Sequence, residues 1–222
     1  TVVRADGSVI KGGGRVVKNV AGYDLAKLYC GSFGTLGVIV DATFMLRPRP
    51  AAQAIFTLQS ASAELAMQTA LQQIHTHLQP FFLDLASFDP VNTANGQAGF
   101  QLIVGLAGIQ EDVDYQRAHL LELGGRDGIQ VEEIEGDAAQ HLSLTLRDFP
   151  VSGDAALHCK TSLLPTRIAE FCDRVGEEAA LRGLHVEFLA RAGNGIVYSR
   201  FLRPVDMPLE KLISLVDWLR IL

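Results

Sequence analysis

The chain has 222 residues, 48% hydrophobic and 20% charged, and a net charge of −6 with both signs scattered along it. Such a chain can bury a real core, but it lacks the clustered Lys and Arg of a nucleic-acid footprint or a polybasic membrane patch. No apolar run reaches the roughly 18 residues of a membrane-spanning helix, and Thr1 to Gly7 has no signal-peptide layout.

The pass along the chain begins with two short β-prone runs, Thr1 to Ala5 and Ser8 to Lys11, around Asp6-Gly7, a strong hairpin signal. Gly12-Gly13-Gly14 follows, then a short helix near Asp24 to Tyr29. Gly31, Gly34 and Gly37 come next at three-residue spacing, and Val38 to Leu46 reads as a buried strand. Composition shifts near residue 47: residues 1–40 hold 8 of the 21 glycines, and Arg47-Pro48-Arg49-Pro50 continues neither a helix nor a central strand. A domain boundary is therefore expected there, giving domains 1–47 and 48–222.

The second domain has longer elements. Ala54 to Leu58 is strand-like. Ala63 to Leu78 is helical, with Met67, Ala70, Leu71, Ile74 and Leu78 on one face. Phe81 to Phe88 and Phe100 to Leu106 are apolar strands joined by an Asn- and Gly-rich loop. Glu111 to Leu123 is a helix stopped by Gly124-Gly125, and Ile129 to Ile134 is a strand. This βαββαβ order is the ferredoxin-like unit. After a helix over Ala138 to Leu146 a second, incomplete copy follows. Its strands are Ala156 to Leu163, His185 to Leu189 and Ile196 to Phe201. Its helices are Thr166 to Leu181 and a last one after Pro208. The fold class expected is α+β, with about seven antiparallel strands and helices on one face. The sequence opens in what reads as mid-strand and closes in what reads as mid-helix, Leu209 to Leu222, so a piece of a longer protein, truncated at both ends, is expected.

The glycines carry the first functional signal. In Lys18-Asn19-Val20-Ala21-Gly22-Tyr23-Asp24-Leu25 and Gly31-Ser32-Phe33-Gly34-Thr35-Leu36-Gly37-Val38-Ile39, glycines three apart share neither a helix face nor a strand face. They read as backbone devices that take positive φ or admit a close neighbour. Ser32 and Thr35 add hydroxyls among amide N–H groups, a setting for a phosphate or a flavin ring edge. The plain structural alternative is a tight turn crossing with glycines for packing alone. The loop has no G-x-x-x-x-G-K-[ST], no G-x-G-x-x-G opening a helix, and no G-x-S-x-G. Kinase, Rossmann dehydrogenase and α/β-hydrolase readings lose weight accordingly.

These residues resemble the FAD-binding domain of the vanillyl-alcohol oxidase / p-cresol methylhydroxylase (PCMH) flavoprotein family, and within it the FAD-binding subunits of multi-subunit glycolate dehydrogenases. Gly13 to Val17 and Leu46 to Pro50 share the likeness. The resemblance implies FAD held between two subdomains, with residues 1–47 as the C-terminal part of the FAD-binding domain and residues 48–222 as its cap. It implies that Gly22, Tyr23, Asp24, Gly31, Ser32, Gly34, Thr35, Gly37, Val38 and Ile39 line the flavin or its diphosphate. The family's other phosphate loop precedes this point, so weak or no FAD binding is expected of this stretch alone.

In the family's catalytic 2-hydroxy acid dehydrogenases a His-x-Gly-Asp-Gly-Asn-x-His segment of the cap helps hold a metal. The matching stretch here is Arg191-Ala192-Gly193-Asn194-Gly195-Ile196-Val197-Tyr198. Both histidines are missing, so no metal site is expected. Arg191, with Asn194, is a candidate substrate contact through a bidentate carboxylate bond; the alternative is a plain turn with Arg191 solvated. No catalytic residue is assigned.

Other polar groups are weak signals. His75 and His77 do not share a helix face. His158 and Lys160 share a strand face. Asp112, Asp114, Glu132, Glu133 and Glu135 read as solvated. Cys30, Cys159 and Cys172, odd in number and without a C-x-x-C pair, argue against zinc and disulfides and suit reduced thiols.

The expectation is a flavin-dependent oxidoreductase subunit acting on glycolate or a similar small 2-hydroxy acid. Its partners are a catalytic flavoprotein subunit and an iron–sulfur subunit that receives the electrons; this chain offers no Cys cluster of its own. Its location is cytoplasmic, or peripheral at the inner membrane through those partners. The alternatives are a non-catalytic assembly subunit on the same scaffold and a ligand-sensing ferredoxin-like module over residues 51–222.

Overall fold

The computed structural model describes residues 1–16, 18, 22–75, 78–88, 99–123, 130–153, 155–202 and 208–221. The chain divides into two compact units, Thr1–Arg49 and Pro50–Leu222.

The first unit is built from turns. Strands β1 (Val2–Val3), β2 (Val9–Ile10) and β3 (Val38–Ile39) form a small sheet in the order β2-β1-β3, with antiparallel pairing throughout. The hairpin between β1 and β2 turns at Asp6-Gly7, where Gly7 takes φ 79° and Asp6 accepts from the Ser8 amide at 2.9 Å. The single helix described in this unit, α1 (Leu25–Tyr29), starts at Asp24, whose carboxylate accepts from the Lys27 amide. Among the unit's described residues only Val2 and Tyr29 are buried. The buried strand expected over Val38 to Leu46 is not found. Pairing stops at Ile39, and Val38, Ile39, Val40, Phe44, Met45 and Leu46 are all exposed. An apolar run signals burial only where a second layer covers it.

The second unit is one seven-stranded antiparallel sheet. In chain order its elements are β4 (Ala52–Ser60), α2 (Ala63–His75), β5 (Phe82–Ala86), β6 (Phe100–Gly108), α3 (Gln110–Leu123), β7 (Gln130–Ile134), α4 (Gly136–Asp148), β8 (Leu157–Ser162), a 3-10 turn (Pro165–Arg167), α5 (Ile168–Leu181), β9 (His185–Arg191), β10 (Ile196–Leu202) and α6 (Leu209–Leu219). The strand order is β7-β4-β6-β5-β9-β10-β8. Its first four positions are the 4-1-3-2 arrangement of a ferredoxin-like βαββαβ unit. The last three, among the described residues, follow the order of that unit's first three strands. The halves meet where β5 pairs with β9.

Strand alternation places the core. Ala54, Phe56 and Leu58 of β4 and Leu102, Val104 and Leu106 of β6 face one side. There α2 buries Ala66, Met67 and Ala70, and α5 buries Ile168, Cys172 and Val175. The Ser62 hydroxyl accepts the Leu65 amide at 3.1 Å and caps the start of α2. The helix ends at His75, short of the expected Leu78. Leu78 nonetheless enters the core from the loop.

One helix departs from the expected one-face arrangement. Leu142 and Leu146 of α4, with Phe149, pack on the opposite face against Ala86, Ile103 and Leu189. The reason lies in the sheet's central strands, which are apolar on both sides. Ile103 sits between Leu102 and Val104 and needs cover of its own. The Gly124-Gly125 stop, the Asn- and Gly-rich loop, His77 and Leu222 lie outside the described residues.

Candidate functional site

The glycine-spaced segment of the first unit is the first candidate. Of the Lys18 to Leu25 motif, Asn19, Val20 and Ala21 lie outside the described residues. After α1 the chain makes two successive turns. The Ser32 amide donates to Tyr29 O at 3.2 Å, and the Thr35 amide to Ser32 O at 3.0 Å. The Thr35 hydroxyl also donates to Ser32 O, at 2.7 Å. Gly22, Gly31 and Gly34 take φ 79°, 82° and 77°, so L side chains are disfavoured at each. A Cβ added at any of the three would meet nothing within 4 Å. Their conformation is demanded by the turns, while the space beside them is open.

Gly37 is different. A Cβ there would lie 2.8 Å from Val2 Cγ1 and 2.9 Å from Val3 O. Gly37 therefore lets β3 approach β1, which is the packing role. Close packing is thus shown at Gly37, and positive-φ turns at Gly22, Gly31 and Gly34.

Two aromatic rings lie bare beside the open glycines. Tyr23 is 95% exposed and Phe33 99% exposed, and Phe33 holds φ 51°, a left-handed conformation costly for an aromatic residue. Sequence reasoning missed Phe33, because nothing in residue type announces a positive φ. Asp24 serves α1: it pairs with Lys27 at 3.2 Å, and the hydrogen bond from Lys27 holds its carboxyl below the usual range. Val38 and Ile39 present exposed side chains from β3.

The second candidate is the turn after β9. Asn194 is exposed and its side chain accepts the Ile196 amide at 3.2 Å, an Asx-type turn. Gly195, at φ 76°, passes so close to Leu163 O that a Cβ would sit 1.8 Å from it. Arg191 is not solvated. Its guanidinium forms an ion pair with Asp84, its cross-strand neighbour on β5. It also donates to Leu146 O at 3.1 Å, in the last turn of α4, where a cation suits the helix dipole. One side chain thus ties β5, β9 and α4 together.

Asp84 is the residue that the sequence did not announce. It is 1% exposed, and its Oδ1 has no hydrogen-bond partner. Burial pushes its carboxyl up to about 6, against the opposing pull of Arg191. The available signal was one Asp in the apolar run Phe81-Phe82-Leu83-Asp84-Leu85-Ala86. Its partner lies 107 residues away. Asp84 and Leu146 O thus already take one donor each from the two arms of the Arg191 fork.

Nearby on the same face, Arg200 lies 4.5 Å above the Phe149 ring and pairs with Glu187 at 2.8 Å. Two acidic groups of the first half are paired: Arg117 bridges Asp114 at 3.1 Å and Glu133 at 2.9 Å. His158 and Lys160 are exposed on one face of β8. Cys172 is buried and Cys30 exposed; burial raises the half-buried Cys159 thiol. Among the described residues, no group of three or more His, Cys, Asp and Glu is placed to hold a metal, and no helix is long and apolar enough to cross a membrane.

No family model matches the chain. It is 37% identical over 83 residues to the glycolate oxidase subunit GlcD of Bacillus subtilis and 39% identical over 80 residues to the glycolate oxidase subunit GlcE of Escherichia coli. It is 35% identical over 100 residues to a mitochondrial cytochrome-type D-lactate dehydrogenase of Arabidopsis thaliana. The resemblance read from the glycine motifs holds. These matches take in 37%, 36% and 43% of this chain but 18%, 21% and 18% of the relatives, so the chain spans a small part of their length. Among solved structures, alkyldihydroxyacetonephosphate synthase in two crystal forms matches 90% of the chain, with TM-scores of 0.58 and 0.60 at 16% identity. The α+β fold expected from the sequence, with a ferredoxin-like antiparallel domain after the first unit, is the fold of this chain.

Proposed function

We propose that this chain is part of a flavin-dependent oxidoreductase subunit acting on the CH–OH group of a small 2-hydroxy acid, glycolate or a near relative. Residues 1–47 serve as the C-terminal part of its FAD-binding domain and residues 48–222 as its cap. The observation that carries the reading is the set Gly22, Gly31 and Gly34. Each is held at positive φ with open space where a side chain would stand. Such a surface lets a flat or phosphorylated ligand reach backbone amides. Gly22, Tyr23, Asp24, Gly31, Ser32, Gly34, Thr35, Gly37, Val38 and Ile39 are its assigned residues. FAD, when bound, supplies the acceptor for the hydride of the substrate's α-carbon. The protein's share is positional. The Ser32 hydroxyl offers a hydrogen bond, the exposed Tyr23 and Phe33 rings offer apolar cover, and Gly37 fixes the segment against β1.

The partners in this reading are a catalytic flavoprotein subunit and an iron–sulfur subunit that carries electrons onward, in the cytoplasm or at the inner membrane through those subunits. Similarity to two proteins named as glycolate oxidase subunits supports it. The test is a visible spectrum of the whole protein, purified alone. Flavin bands that bleach on adding glycolate or D-lactate are expected; a colourless protein overturns the flavin assignment.

A second reading, a non-catalytic assembly subunit, is favoured by one observation: Arg191 is already committed to Asp84 and Leu146. Arg191 and Asn194 are then purely structural. A colourless protein that still assembles its complex supports this reading.

A further inference from the structure

Asp84 sits where the two halves of the large sheet join. There β5 and β9 pair at Asp84–Arg191, Leu85–Ala190 and Ala86–Leu189. Three flanking hydrogen bonds extend the contact. The Ser87 amide donates to Phe188 O at 3.0 Å, the Phe188 amide to Ser87 Oγ at 2.7 Å, and the Ala192 amide to Leu83 O at 2.8 Å. The other neighbours in this sheet pair over five residues or more. The face that carries Asp84 is covered by α4, and on the opposite face α2 lies against α5.

The buried carboxyl is poorly matched by its surroundings. One oxygen takes a bond from Arg191 and the other has no partner, whereas an ionised carboxylate offers about four acceptor sites. β6 places Gln101, Ile103 and Gly105 on that face, none of them charged. From β10 come Tyr198 and Arg200, and Arg200 is held by Glu187 of β9 at 2.8 Å. α4 exposes Asp137, His141 and Arg147, and Arg147 pairs with Asp148 at 2.7 Å. Among the described residues Arg191 is thus the cation that opposes the burial of Asp84. Arg191 itself is 28% exposed and keeps both water and the Leu146 carbonyl in either form of Asp84. The cost of ionisation therefore falls on Asp84. Water relieves it, and the junction with β9 is where water has the fewest backbone pairs to part.

We propose that the Asp84 carboxyl is a proton-operated latch on this junction. Protonated, it lets β5 and β9 close over it. Ionised, it draws in water and loosens the pairs beside it, with the α2–α5 contact as the pivot. Burial outweighs the pull of Arg191 and raises the carboxyl from 3.8 to about 6 in the closed junction, while an open junction returns it to water and to its usual range. The closed state therefore holds the proton more tightly. Its advantage is complete below the usual value and is lost as pH rises through about 6. The latch is independent of the flavin reading.

The test is amide exchange of the isotope-labelled chain in low urea, read by NMR at Ser87, Phe188 and Ala192 and corrected for intrinsic exchange. These amides are expected to exchange through a local opening whose rate does not change with urea. Their protection should fall about tenfold between about pH 5 and about pH 7 and then level off, with a midpoint that matches the titration of the Asp84 carboxyl carbon. Asp84→Asn should remove that pH dependence. Flat protection over this range in the parent chain overturns the proposal, and does so whether or not the variant folds. Exchange of the three amides only by the urea-dependent route shared with β4 and β6 also overturns it, as does a variant that keeps the parent's pH dependence.

Discussion

The two units hold their shape by different means. In Pro50–Leu222, Gly105 and Gly195 lie beneath neighbours, while Gly136, Gly176 and Gly193 stand open. A Cβ at Gly105 would enter the Phe82 ring opposite it on β5, and one at Gly195 would strike Leu163 O. In Thr1–Arg49, Gly22, Gly31 and Gly34 have nothing against them, and two of the described residues are buried where the larger unit has an extensive core. Backbone shape that serves packing is explained from within the unit. Backbone shape that leaves open space and bare aromatic rings is not explained from within the unit.

Substitutions can sharpen that contrast. The largest effect is expected at Phe56, fully buried in the sheet's main core: Phe56→Ala should cost about 3–5 kcal/mol in urea unfolding. Gly195→Ala combines a left-handed backbone with a backbone clash, and should cost about 2–4 kcal/mol by the same measurement. A cost under about 0.5 kcal/mol would show that the turn yields, and would weaken the contrast between the units.

Asp84 gives a pH signature. Its folded carboxyl is raised from 3.8 to about 6, so the folded state holds the proton more tightly than the unfolded chain. The stability this contributes is complete below the unfolded value and is lost as pH rises through about 6. At one pKa unit per 1.36 kcal/mol, the loss between pH 4 and pH 7 is on the order of 2–3 kcal/mol. Asp84→Asn should lose less stability than the parent over that interval, by chemical denaturation at each pH. Equal slopes would mean that Arg191 holds the carboxylate fully ionised.

The smallest effect on stability is expected at Gly34. With open space around it, Gly34→Ala should cost only the left-handed backbone strain, about 1–2 kcal/mol, local to the first unit. In the whole protein its consequence should be lost flavin absorbance instead. Full flavin retention would return Gly34 to a merely structural turn.

Much of the larger unit was legible from periodicity. Alternating strands, the apolar stripe Met67, Ala70 and Leu71, and the order βαββαβ all report local burial, which sequence spacing encodes directly. The placement of α4 was not legible, because a strand apolar on both faces, such as Leu102-Ile103-Val104, does not say which helix covers which side. The exposed run after Val38 misled for the related reason that hydrophobicity does not reveal what covers it. In the first unit the need for glycine was legible at Gly31, Gly34 and Gly37, but not that Gly37 packs while the others stand open. The Arg191–Asp84 pair was out of reach, since it joins two strands whose pairing depends on the whole sheet.

That pair bears on how the large sheet comes apart. Its two halves meet over three residue pairs between β5 and β9, against nine between β4 and β6. A seam so short would let each half open independently. Beside it, Arg191 fastens Asp84 to the end of α4, and across the main core α2 lies against α5. Cooperativity between the two half-domains therefore draws on this guanidinium and on the α2–α5 contact beside the short seam and its flanking bonds, Ser87 with Phe188 and Leu83 with Ala192. Amide exchange read strand by strand should show β9 and β10 uncoupling from β4 and β6 once Arg191 is removed.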